Sequence, residues 1–220
     1  MPHDHHDHDY SHEGLSPSGH PYRADDDIEL SYWQVMEIAL RELLIEKGHL
    51  SAAQIHAQIN AMDSRSPANG ARVVARAWVD PAFKAALLAN ASEASRSMGF
   101  DIGPMHLIAL ENTNEVHNLV VCTLCSCYPR NLLGLPPDWY KSRAYRSRAV
   151  IEPRKVLSEF GLTLPVEMQM RVHDSTADMR YIVVPARPES SFGQTEEELA
   201  AWVTRDSMIG VGLPQAPQCP

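Results

Sequence analysis

The sequence predicts a layered α/β domain of the α-β-β-α kind, built to bind metal, with a helical N-terminal extension and a disordered His-rich tail. Three observations lead there. Residues 1–27 are polar, acidic and rich in histidine, whereas 28–99 carry helical periodicity in Ala-rich stretches. From Pro104 the texture changes to short apolar runs of strand length. Within that second half, three cysteines, Cys122, Cys125 and Cys127, crowd into six residues directly after one such run. These shifts divide the chain into a tail (1–27), a helical extension expected to pack on another subunit (28–99) and an α/β domain (100–220).

Bulk properties narrow the function classes. A chain of 220 residues with 44% hydrophobic composition can bury one sizeable core. A formal charge of -9 argues against nucleic acid or an anionic membrane as partner. No apolar run approaches the roughly 18 residues of a membrane span, and no basic start with an apolar core marks a secretory signal. Three of the four cysteines are too close together to staple a fold, so a disulfide framework is not expected. These points together place the chain in the cytoplasm.

The elements follow in order. The tail holds six of the eleven histidines, His3, His5, His6, His8, His12 and His20, and interleaved aspartates distinguish it from a plain purification tag. Such a tail is first a solvated segment and only secondarily a weak metal trap. Ser31 to Lys47 sets Val35, Ile38, Ala39, Leu43 and Leu44 near one helical face, and Gly48 stops it. Ser51 and Gln54 form a capping box for a helix to Ala61. A short helix spans Asn69 to Val79, and Asp80-Pro81 opens another that runs to Met98. These helices have few large apolar residues, which is why a partner surface is expected for them. Strands are expected over Met105–Leu110, Asn118–Cys122, Glu167–Val172 and Arg180–Val184, with helices over Pro153–Phe160 and Glu196–Thr204. No segment repeats.

The cysteine run carries the chemistry. Zinc prefers four tetrahedral ligands, and a cubane iron–sulfur cluster takes four cysteines. The run is one ligand short of either. Cys219 sits at the terminus as a free thiol, and His117 lies at the far end of the preceding strand. Backbone nitrogen can supply the difference. The amide nitrogen and sulfur of Cys127 can close a five-membered chelate ring, and the amide nitrogen of Ser126 with the Cys125 sulfur a six-membered one. Cys122 can then reach an axial position and leave one position open. Deprotonated amides call for a small trivalent ion, and an open Lewis-acid position suits metal-assisted hydration. A redox pair or a zinc site is the competing reading of the same spacing.

Val121-Cys122-Thr123-Leu124-Cys125-Ser126-Cys127-Tyr128-Pro129, with Leu133-Gly134-Leu135-Pro136-Pro137-Asp138-Trp139-Tyr140-Lys141-Ser142, closely resembles the α subunit of nitrile hydratase. Arg146-Ser147-Arg148, Glu152 to Leu157 and Val203 to Gly210 extend the resemblance over nearly the whole chain after the tail. It implies that Cys122, Cys125 and Cys127 ligate one metal ion with the backbone amides of Ser126 and Cys127. It implies further that Cys125 becomes sulfinate and Cys127 sulfenate. Thr123 matches the cobalt-type motif, so Co(3+) is expected, with Fe(3+) as second candidate. The implied reaction adds water to a nitrile to give an amide, with Cys127, Ser126 and Cys125 as the catalytic set. The family places two arginines of a β subunit at the sulfur oxygens. A β partner, whole or split into two polypeptides, and a metallochaperone or activator are therefore expected.

Arg130 departs from the pattern, because common cobalt nitrile hydratases carry tryptophan there. Arginine at that place resembles the γ subunit of thiocyanate hydrolase, where a cation suits an anionic substrate. Arg130 is thus a substrate-pocket candidate, and thiocyanate hydrolase is the alternative function. A non-catalytic zinc or copper carrier, or an unassembled metal-storage form, is the reading from a different class. Arg143, Arg146, Arg148 and Arg154 read as a solvated or interface-paired basic run. Trp139 and Tyr140 read as packing anchors, Asp174 as a support behind the ligands, His173 as structural variation, and Glu111 and His117 as core or hydrogen-bonding residues.

Overall fold

The computed structural model describes residues 30–217. The His-rich tail and Cys219, both singled out in the sequence, lie outside the described residues. The chain divides at Ile55/His56 into two compact units.

The first unit holds α1 (Tyr32–Glu46) and the start of α2 (Ala52–Asp63). Ser31 closes a capping box with Gln34 at the head of α1. Neither helix buries a residue. Trp33, Met36, Leu40 and Leu43, spaced three and four apart, form an exposed apolar stripe along α1.

In the second unit α3 (Pro67–Val79), α4 (Pro81–Ala89) and α5 (Ala91–Ser97) join the main core. The sequence grouped these three helices with the extension, but their small residues (Ala71, Val73, Val74, Ala77) fill space against larger neighbours instead. At Gly70 a Cβ would meet the ends of the Leu133 and Met208 side chains, so α3 packs closely on both. The single helix expected after Pro81 breaks at Asn90, whose side chain caps α5 by accepting from the Glu93 N–H.

Four strands form two parallel pairs. β1 (His106–Glu111) pairs with β4 (Met179–Val184), and β2 (Val116–Val121) with β3 (Gln169–Asp174). All four sit within two residues of their expected places. The β2-to-β3 crossover contains α6 (Arg130–Leu133), α7 (Asp138–Lys141), α8 (Arg143–Ile151) and α9 (Pro153–Glu159). The first three of these were not foreseen; Pro129, Pro137 and the Ser142 cap each restart a short helix where the sequence reads as turn. The last expected helix ends early, as α10 (Glu196–Ala200), and a further helix that was not foreseen, α11 (Arg205–Ile209), follows where Thr204 opens a second capping box with Ser207.

This topology positions the cysteine loop. β2 is buried from His117 to its end, Cys122 follows it into the core, and the register sets Asp174 opposite Val121. Gly210, at φ 91, ends α11 against the Asn118 carbonyl, and a Cβ there would strike that oxygen.

Candidate metal centre

Cys122, Cys125 and Cys127 hold their sulfurs within 4.8 Å of one another. The Cys122–Cys125 and Cys125–Cys127 sulfur separations are 3.6 and 3.3 Å. Cys122 is buried, Cys127 half-buried and Cys125 exposed, so the triangle opens outward from the end of β2. The Cys125 N–H donates to the Cys122 sulfur at 3.3 Å. The backbone N–H groups of Ser126 and Cys127 help to stabilise the Cys125 thiolate.

Electrostatics follow from the crowding. Hydrogen bonding from Cys127 and Cys122, then from the Ser126 backbone, lowers the Cys125 thiol below its ordinary value. Burial, then the neighbouring thiols, pushes Cys127 up to about 12, against weak opposition from the Arg180 guanidinium. Cys125 is therefore favoured as a thiolate while Cys127 keeps its proton. A cation among the sulfurs would remove that conflict, because it favours all three charges together. Sulfur donors at this spacing fit a thiophilic transition ion.

Four side chains hold the loop. Asp174 accepts from the Thr123 N–H at 2.9 Å and from its hydroxyl at 2.5 Å. The buried Tyr140 hydroxyl donates to the Cys127 carbonyl at 2.8 Å. Arg146 donates to the Leu124 carbonyl at 3.4 Å and to the Cys125 carbonyl. Tyr145 donates to the Val120 carbonyl at 2.6 Å and ties α8 to β2.

Beneath the loop lies a buried polar network. His117 Nε2–H donates to the Gly210 carbonyl at 2.7 Å, which leaves Nδ1 to accept from Asn112 at 3.3 Å. Asn118 donates to Asn112 Oδ1 and to the Glu111 carbonyl, while His173 Nε2 donates to Asn118 Oδ1 at 2.9 Å. Burial lowers both histidines below their ordinary range.

The comparisons with known proteins give this geometry a family. The model of the nitrile hydratase alpha chain matches residues 31–212. The chain belongs to the nitrile hydratase α family. It is 50% identical over 183 residues to the low-molecular weight cobalt-containing nitrile hydratase subunit alpha of Rhodococcus rhodochrous, covering 81% of this chain and 87% of that one. It is 44% identical over 199 residues to the thiocyanate hydrolase subunit gamma of Thiobacillus thioparus, covering 85% and 82%. Among solved structures, a double histidine-to-alanine variant of the Fe-type nitrile hydratase of Comamonas testosteroni Ni1 superposes with a TM-score of 0.79 at 40% identity, covering 87% and 96%.

As a nitrile hydratase α chain, this protein brings Cys122, Cys125, Ser126 and Cys127 to one place. Arg130 is exposed at the first position of α6, three residues beyond Cys127. His117 points into the network and not to the sulfurs. Within the basic run, Arg148 is bound by Glu152 and Glu159, and Arg154 by backbone carbonyls between Leu164 and Met168. Arg146 alone of the four reaches the cysteine loop. The sequence offered no signal for it, since a contact from α8 to residue 125 depends on how the crossover packs.

Proposed function

We propose that this chain is the α subunit of a cobalt nitrile hydratase, which adds water to a nitrile to give the amide. The observation that carries this reading is the triangle of three sulfurs at the end of β2. The three sulfurs and two backbone nitrogens would hold the ion. When bound there, trivalent cobalt supplies a Lewis acid that polarises a nitrile or water.

The chain's own residues do the rest. Cys122 anchors the loop to the core from the end of β2. Cys125 and Cys127, oxygenated to sulfinate and sulfenate, present oxygens at the open side, and Cys127 is the base or nucleophile toward substrate. The Ser126 hydroxyl helps position the site. Oxyanions in so crowded a place require cationic donors from outside the chain, which supports a β subunit over the loop. The apolar stripe of α1 supports the same partner, as does the family's heteromeric habit. No described helix is long and apolar enough to cross a membrane, and we take the assembly to be cytoplasmic, loaded by an activator protein. For the fold we keep the α-β-β-α layering, supported by α4 and α5 against β1, α8 against β2, and contact between β2 and β4.

Arg130 supports a second reading. An exposed cation three residues from Cys127 favours an anionic substrate, and the thiocyanate hydrolase relative is 44% identical. One assay separates them. The assembled, cobalt-loaded protein is expected to turn aliphatic or aromatic nitriles into amides. Release of carbonyl sulfide from thiocyanate with no amide from any nitrile would overturn the first reading. A colourless, zinc-only protein would overturn both.

A further inference from the structure

Arg146 has no carboxylate partner among the described residues, although Arg148 on the same helix is fully paired. Its Nη1 instead donates to the Cys125 carbonyl, and more distantly to that of Leu124. Its Nε is buried without a partner, so the guanidinium is held for the loop at the expense of its own satisfaction. The element behind it is firm. The Ser142 hydroxyl caps α8 by accepting from the Tyr145 N–H, and the Tyr145 hydroxyl donates to the Val120 carbonyl of β2.

The peptide geometry gives that contact a meaning. In a trans peptide the carbonyl and the following N–H point to opposite sides. A donor that grips the Cys125 oxygen from α8 therefore turns the Ser126 N–H away from α8, and that N–H is among the groups that stabilise the Cys125 thiolate. A cation on that oxygen also draws electron density from the nitrogen of the same peptide unit, which makes the Ser126 N–H a stronger acid and eases the deprotonation that a metal–amide bond requires. Arg143 lines the same cleft, with Thr123 and Ser147, but makes no hydrogen bond to the loop.

We propose that Arg146 is a positioning residue of the metal centre, fixing the Cys125–Ser126 peptide plane so that the Ser126 nitrogen faces the three sulfurs. The inference rests on reading the loop as a metal centre. The test uses the assembled protein with its β partner, expressed under limiting cobalt. Cobalt per chain and the sulfur-to-cobalt charge-transfer absorption are measured for wild type, R146A, R146Q, R146K and R143A. R146A and R146Q are expected to incorporate about tenfold less cobalt, the scale typical of outer ligand supports, and to shift the absorption band. R146K keeps a charged donor and recovers most of both, and R143A matches wild type. Far-ultraviolet circular dichroism of each variant verifies folding; if R146A fails to fold, R146Q against R146K decides. Wild-type cobalt content and an unshifted band in R146Q would overturn the proposal, and so would equal losses in R143A. Absence of cobalt from wild type would instead defeat the metal-centre reading itself.

Discussion

At the scale of single residues, the cysteine loop is held by backbone-directed contacts, and these divide into separable effects. Tyr140 is fully buried and its hydroxyl serves only the Cys127 carbonyl among the hydrogen bonds described. Tyr140→Phe is expected to cost about 1–2 kcal/mol, the penalty of an orphaned, part-buried acceptor, read by urea denaturation of the assembled protein. Asp174 and Thr123 are both exposed, so their paired bonds contribute little to global stability. Asp174→Ala should therefore change stability by less than about 1 kcal/mol while lowering cobalt content. A large stability loss with full cobalt would show that Asp174 supports the fold and not the loop. Cys122, Cys125, Ser126 and Cys127 were legible as candidate ligands because their spacing alone permits chelation. Tyr140 and Arg146 were not, because each acts on a carbonyl oxygen, and every residue in the chain has one.

At the scale of elements, β2 and β3 carry both the loop and the polar network beneath it. His117 and His173 are held below their ordinary range by burial. A depressed histidine leaves the folded state neutral while the unfolded chain takes up protons, so stability is complete above the unfolded value and falls as pH drops below it. Melting temperature is expected to decline from about pH 7 to pH 5, and His117→Gln to flatten that slope while lowering stability at neutral pH. An unchanged slope would assign the decline to other groups. Gly210→Ala should destabilise by at least about 2 kcal/mol, since it adds a Cβ against the Asn118 carbonyl at a positive φ. The strands themselves were legible, because β-branched runs bounded by turns leave little choice. The short helices of the crossover were missed because at four residues α6 and α7 lack a helical period to read.

At the scale of the whole molecule, the second unit has its own core and α1 does not. The stripe of Trp33, Met36, Leu40 and Leu43 is expected to be covered by the β subunit. Leu40→Asp should weaken α–β association at least about tenfold by sedimentation or light scattering, leaving the spectrum of any cobalt-loaded chain unchanged. Association at wild-type strength would place the partner elsewhere. By itself the sequence determined the cysteine cluster, the strands and the family, because sulfur spacing and hydrophobic period are local properties of a chain. Only the tertiary structure decided that α3 to α5 belong to the core, that Asp174 meets Thr123 across a parallel register, and that Arg146 reaches the Cys125 carbonyl. Each of these joins residues distant in sequence, and their distance in space is set by how the β2-to-β3 crossover and the small residues of α3 pack.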